Sequence, residues 1–348
     1  MDRLSDPILT KAISFLTTRD AIRLALVAQR FMHAAVHKWR QRPVLVKIDS
    51  SEQINVSIID PFLQRRCSLP PVRKSMLSAR SVAIFNRHLI VVCVCADRSN
   101  VIYQFQPKSQ SWRRMVVIPS QISHVIACMP LNNEELCIVG PESMLIYSRK
   151  LGVWRKCGRM PQLHINGAAG RIHQTIAVCG GCCVYDDEEG EPSPPTANVD
   201  KYDLVRNEWK QADDAPIQCE SMAFTVWENS LVIAGGYTDV DLDSLSDQVY
   251  VYNQDSWKCI RSISPSQTLA LFTLERCLFA YRGDDRFSRY VEDTDRWENA
   301  DHQFSSGSDK TRDLGKILII AIEAALIGDI QSGNNRDPQR WNRRLRKR

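Results

Sequence analysis

The chain has 348 residues, 44% of them apolar and 24% charged, which suits a soluble globular protein with one large domain and a small one. Its net charge of +5 averages unlike parts: residues 1–42 carry +5, residues 331–348 carry +6, and the middle is left at −6. That distribution gives no support to a nucleic-acid-binding face on the main domain. The N-terminus shows no basic leader before an uninterrupted apolar core, and Glu323 breaks the longest apolar stretch, so neither a secretory signal nor a membrane span is expected.

Twelve cysteines without an export signal are expected to be free thiols in the cytoplasm or nucleus. Most sit inside apolar runs, as Cys93, Cys95, Cys137, Cys179 and Cys277 do.

Residues 1–42 read as helical. Asp6-Pro7 has the form of an N-cap followed by proline at the first helical position. Ile8, Leu9, Ala12, Ile13, Phe15 and Leu16 then recur at helical spacing. Thr17 and Asp20 open a second helix as a T-x-x-D capping signature, with Ile22, Leu24, Ala25, Leu26 and Val27 following. Further helix is expected through Phe31 and Val36 to Trp39. About forty residues are too few to bury these groups alone. The segment wants a partner surface, either on its own chain as a cap or on another molecule.

The stretch LSDPILTKAISFLTTRDAIRLALVAQRFMHAAV resembles the F-box, through Leu4, Asp6, Ile8-Leu9, Ile13, Phe15-Leu16, Asp20, Leu24, Leu26-Val27 and Phe31. It departs from that pattern at Ser5, where proline is usual, and at Phe31, where tryptophan is. The resemblance implies docking to the Skp-type adaptor of a cullin–RING ubiquitin ligase, with apolar helix side chains entering a hydrophobic surface. By motif position the adaptor-binding residues are Leu4, Ile8, Leu9, Ile13, Leu16 and Val27. Each also fits as internal core of a three-helix unit, where Leu26 and Phe31 are better placed.

Residues 43–50 read as a linker to a domain spanning 51–330. Ile54–Pro70 reads as two strands around an Asp60-Pro61 turn. Beyond it a repeat appears. Trp112, Trp154, Trp209, Trp257 and Trp297 are spaced by 42, 55, 48 and 40 residues, and seven positions before each stands an aromatic: Phe105, Tyr147, Tyr202, Tyr250 and Tyr290. A short apolar run precedes each pair, and two of the runs end in double glycines, Gly180-Gly181 and Gly235-Gly236. Runs of this length bounded by turn residues are strand-sized. Four-stranded sheets of this kind bury their faces only against neighbours around an axis.

The double glycine, the Tyr and the Trp seven positions later resemble the kelch repeat over roughly residues 76–300. The expected fold is therefore mainly β: a kelch-type β-propeller with five recognisable repeats and six blades, preceded by a small α-helical F-box. The sixth blade would take its outer half from Ile54–Pro70. Its inner half would come from Leu314–Ile322, unless Leu314–Ile327 is instead an amphipathic helix beneath the ring. Residues 331–348, ending in RWNRRLRKR, read as a basic disordered tail or a targeting segment.

Two insertions fall at the same point of successive repeats, DDEEGEPSPPT (186–196) and DVDLDSLSD (239–247). They place Asp186, Asp187, Glu188, Glu189, Glu191, Asp239, Asp241, Asp243 and Asp247 on one rim of adjacent blades, where they would select a basic segment of a client protein or stand as solvated loops. No catalytic, metal or cofactor site is expected. Cys179, Cys182 and Cys183 lack a second ligand pair at zinc spacing, and DVDLDSLSD lacks the glycine and the terminal glutamate of a calcium loop. The seven histidines form no nucleophile–base arrangement. The two resemblances together imply a non-catalytic substrate receptor, a ligase subunit whose propeller holds the client. The alternatives are a kelch interaction scaffold without a ligase role and a propeller enzyme.

Overall fold

A computed structural model describes residues 43–49, 54–60, 65–72, 76–107, 109–183, 193–253, 255–263, 270–282, 286–300 and 317–323. Among these the regular elements are β-strands and one 3-10 turn at Glu292–Thr294. The adaptor-binding residues read from the sequence, Leu4 through Val27, lie outside the described residues, as does the basic tail.

Strands β1 (Pro43–Asp49), β2 (Asn55–Asp60) and β3 (Arg65–Ser68) come first. Five antiparallel four-stranded sheets follow in chain order. The first holds β4 (Met76–Phe85), β5 (His88–Cys95), β6 (Asn100–Gln106) and β7 (Ser111–Val117). The next holds β8 (Ala127–Pro130), β9 (Glu135–Val139), β10 (Ser143–Ser148) and β11 (Val153–Arg159). It is succeeded by β12 (Ala168–Ile172), β13 (Thr175–Cys179), β14 (Val199–Asp203) and β15 (Glu208–Gln211). Then come β16 (Ala223–Trp227), β17 (Ser230–Ala234), β18 (Val249–Asn253) and β19 (Ser256–Ile260). The last holds β20 (Ala270–Leu274), β21 (Cys277–Tyr281), β22 (Phe287–Val291) and β23 (Arg296–Asn299). Finally β24 (Ile317–Glu323) returns to pair antiparallel with β1, giving a sixth sheet in the order β24-β1-β2-β3. Numbering that composite sheet as blade one, the others are blades two to six.

The apolar runs are strands because each is buried on both faces. In β13, Ile176 and Val178 pack toward blade three, while Ala177 and Cys179 pack toward blade five. Alternate side chains of a strand point to opposite faces, so a strand between two neighbours needs a continuous apolar sequence. The described core is accordingly six clusters, one in each seam between adjacent blades. The innermost strands β24, β4, β8, β12, β16 and β20 touch in ring order. The architecture is a β-propeller.

One sequence expectation changes here, and one left open between strand and helix is decided. Residues 43–49 are not a linker: β1 is the second strand of blade one, with Leu45, Val46 and Ile48 fully buried. The PVLVKI run gives this segment both apolar faces, and β24 supplies the partner edge that no local reading contains. Residues 317–323 are a strand, not a helix, paired with β1 from Ile317↔Asp49 to Glu323↔Pro43. Chain end and chain start thus close the ring.

Strand direction assigns every loop to one of two faces. In each complete blade the first strand leads into a hairpin, so turns such as Glu228-Asn229 and Leu204–Asn207 lie on a hairpin face. The connections between second and third strands, and between blades, lie on the opposite loop face. Strand β1 occupies a second position, so Pro43 stands at the hairpin face. Residues 1–42 are joined to the ring there.

Candidate interaction surface

The repeated aromatics are seam hardware. Phe105↔Trp112, Tyr147↔Trp154, Tyr202↔Trp209 and Tyr290↔Trp297 are cross-strand pairs, with ring centroids 5.0–5.3 Å apart. Each of these four indoles donates its Nε1–H to a backbone carbonyl of the preceding blade or the segment after it: Pro70, Val117, Cys157 and Arg261, at 2.7–3.1 Å. Blade five departs from the spacing. Its outer hairpin is two residues shorter, pairing Asn253↔Ser256, so Trp257 stands opposite Tyr252 and not Tyr250. Tyr252 is the buried ring, 4.7 Å from Trp257, and the Trp257 Nε1–H is buried without an acceptor.

A second element of the seam was not read from the sequence. Two positions before Trp209, Trp257 and Trp297 stand Asn207, Asp255 and Asp295, each with positive φ (58°, 64° and 48°). Asn and Asp tolerate that conformation better than most residues. Each accepts a hydrogen bond from the tyrosine of its own blade, Tyr202, Tyr252 or Tyr290, at 2.7–3.3 Å. Each also accepts from the neighbouring blade: Arg155 Nη1 bonds Asn207, Lys201 Nζ bonds Asp255, and the Arg261 N–H bonds Asp295. The Lys201 ammonium holds the Asp255 carboxyl below the usual carboxylate range. The Arg261 backbone N–H, followed by the Tyr290 hydroxyl, does the same for Asp295.

On the loop face the double glycines anchor the two insertions. Gly181 (φ 88°) and Gly236 (φ 89°) hold a backbone conformation that disfavours side chains. A Cβ on Gly181 would stand 2.4 Å from the Ile165 carbonyl oxygen, and one on Gly236 would stand 2.5 Å from that of Glu220. The close approach lets the loops pair across it. Cys182 bridges both Ile165 and Pro195, and Tyr237 bridges both Glu220 and Leu245, the same construction on blades four and five. Gly181 N–H donates to the Cys219 carbonyl and Ser221 N–H to the Asn166 carbonyl, at 2.8 and 2.9 Å. The Asn166 amide donates to Glu220 Oε2 at 3.2 Å. The bases of both insertions are therefore fixed side by side.

Of the predicted acidic residues, Asp186, Asp187, Glu188, Glu189 and Glu191 lie outside the described residues. The other four divide by role. Asp239 accepts from the backbone N–H groups of Asp243 and Ser244 at 3.1 and 3.0 Å, and Asp247 accepts from the Gln248 amide at 2.7 Å. These two shape their own loop. Bonding to Ser244, chiefly through its side chain, holds the Asp239 carboxyl below its ordinary range. Asp241 and Asp243 are exposed, beside Leu242 and Leu245 at 47% and 43% exposure.

The C-x-x-C-C thiols are buried apart from Cys183. Burial pushes Cys179 up to about 12 and, with the Glu220 carboxylate beside it, Cys182 also up to about 12. A thiol held neutral in this way is a poor nucleophile. Below the same rim His164 is fully buried, with Nδ1 2.8 Å from the Gly180 carbonyl oxygen and Nε2 3.2 Å from Asp200 Oδ2, which also accepts the Gln162 N–H. This pins the connection into blade four.

No protein-family model matches the chain. A curated human protein, "Kelch repeat and BTB domain-containing protein 12", is 32% identical to it over 98 residues, 26% of this chain. The ring is a β-propeller, and part of the chain is similar to a kelch-repeat protein. The chain spans 15% of that relative's length. Among the described residues, no helix is long and apolar enough to cross a membrane.

Proposed function

We propose that this protein is a non-catalytic substrate receptor of a cullin–RING ubiquitin ligase, acting in the cytoplasm or nucleus. Residues 1–42 dock the Skp-type adaptor through Leu4, Ile8, Leu9, Ile13, Leu16 and Val27, and the propeller binds the protein to be ubiquitinated. The reading draws its main support from strand topology. Pro43 enters at the hairpin face, so the F-box-like segment is tethered on the side opposite the loop face with its insertions. An adaptor and a client can then occupy one chain without competing. Such a receptor works by holding a client lysine near a ubiquitin-loaded enzyme carried elsewhere in the complex, and needs no nucleophile of its own.

The client contact is proposed at Asp241 and Asp243, together with Asp186, Asp187, Glu188, Glu189 and Glu191, for a basic client segment steered by charge. Asp239 and Asp247 act there by shaping the loop.

The experiment is co-purification of the full chain with a Skp-type adaptor, alongside an Ile8→Ala/Ile13→Ala/Leu16→Ala variant. Recovery with the wild type and loss with the variant is the expected result. A folded wild-type chain that never recovers the adaptor would leave the propeller as an interaction scaffold. Client capture unchanged after neutralising both acidic sets would remove the acidic contact.

A further inference from the structure

Blade three carries a polar groove on the loop face that neither the repeat nor the adaptor reading uses. It encloses about 310 Å³ and is lined by Gln121, Glu142, Ser143, Lys156 and Arg159. Its construction depends on an irregularity in β11. The pairs Leu145↔Lys156 and Ser143↔Arg159 leave Met144 opposite two residues, Cys157 and Gly158, and Gly158 has φ 77°. In a regular strand, residues three apart point to opposite faces. One extra bulge residue returns Lys156 and Arg159 to the same face, where Ser143 also stands.

The polar groups there are not spent on the fold. Ser143 is 4% exposed and lines the groove. No carboxylate among the described residues pairs with the exposed Lys156. Arg159 Nη2 lies 3.3 Å from Glu142 Oε2, but these side chains are 79% and 49% exposed, and a pair so open to water is weakly held. The wall behind them is rigid. Gly140 N–H donates to the Ser143 carbonyl, Met160 N–H to the Glu142 carbonyl and His164 N–H to the Pro141 carbonyl, each at 2.9 Å.

We propose that this groove binds a phosphomonoester on the side chain of a partner protein. Two cations converge with a hydroxyl donor on a preformed wall, and a group carrying nearly two negative charges and several acceptor oxygens satisfies all three. A carboxylate, with one charge, competes less well against Glu142 for the Arg159 fork. Glu142 and Ser143 stand at the loop face, the face on which blades four and five carry their insertions. The inference rests on the propeller being a protein-binding ring and not on the adaptor; failed adaptor recovery would leave it standing.

The test uses the full chain and two fluorescent peptide pools of degenerate sequence, one with a fixed phosphoserine and one with serine, read by polarisation. The expected result is binding of the phosphorylated pool about tenfold or more tighter than the other. That preference should be abolished in Lys156→Ala/Arg159→Ala, reduced in Ser143→Ala, and competed by inorganic phosphate. Ser143→Ala tests the site with minimal disturbance, and an unchanged melting temperature shows that each variant is folded. Equal binding of the two pools would overturn the proposal. So would a preference surviving in folded Lys156→Ala/Arg159→Ala, or capture by phosphoinositide vesicles with no response to the peptides.

Discussion

Trp209 of blade four donates its indole N–H to the carbonyl of Cys157 in blade three, at 2.8 Å. The same bond recurs from Trp112, Trp154 and Trp297, and is missing at Trp257, whose Nε1–H is buried and unsatisfied. Substitution to phenylalanine keeps much of the ring and removes the donor. Trp209→Phe strands the Cys157 carbonyl, whereas Trp257→Phe removes a donor that has no acceptor. Trp209→Phe should therefore destabilise the protein by about 1–2 kcal/mol more than Trp257→Phe. Urea unfolding of the two variants measures the difference; equal losses would mean that the indole bond contributes nothing to the seam.

The double glycine makes a contrast with a glycine used only for its φ. Gly181→Ala adds a Cβ 2.4 Å from the Ile165 carbonyl oxygen at φ 88° and should cost about 2–4 kcal/mol. Gly152 has φ 69° with nothing within 4 Å of its Cβ position, so Gly152→Ala should cost only about 1 kcal/mol. Denaturation midpoints at matched m-values rank them. A Gly181→Ala protein as stable as Gly152→Ala would show that the close approach is not held in solution.

The Lys201–Asp255 pair ties blades four and five at the seam lacking the indole bond. Because the folded carboxyl titrates below its ordinary value of 3.8, the pair's contribution is present above that value and is lost as pH falls through the lower folded value. Lys201→Met should raise the Asp255 titration toward 3.8, followed by the carboxyl carbon signal in NMR. The variant's stability deficit should shrink below that pH. An unshifted titration would dissolve the pair.

Thiol accessibility follows burial. Cys259 is exposed, whereas Cys93, Cys179 and Cys219 are buried, with burial pushing each of the three up to about 12. Iodoacetamide at neutral pH should modify Cys259 first and spare those three until denaturant is added. Peptide mapping by mass spectrometry reads the order, and early labelling of Cys179 or Cys219 would contradict the closed seam between blades four and five.

Blades two to six were legible in the sequence as local pattern. Strand-length apolar runs, glycine pairs and aromatics seven apart are local facts, since a strand buried between two neighbours must be apolar at successive positions. The Asn or Asp two places before three of the tryptophans was equally visible, and its left-handed turn was the signal available for it. The remainder depended on contacts between segments far apart in the chain and on backbone geometry. Blade one joins β1 to β24 across most of the chain, a pairing no window of sequence contains, and it turned a supposed linker into core. Blade five's shorter hairpin moved the partner of Trp257 from Tyr250 to Tyr252, because register depends on the turn actually formed. The groove of blade three exists because one bulge residue inverts the side-chain alternation, and which residues share a face is settled by backbone geometry rather than by their order along the chain.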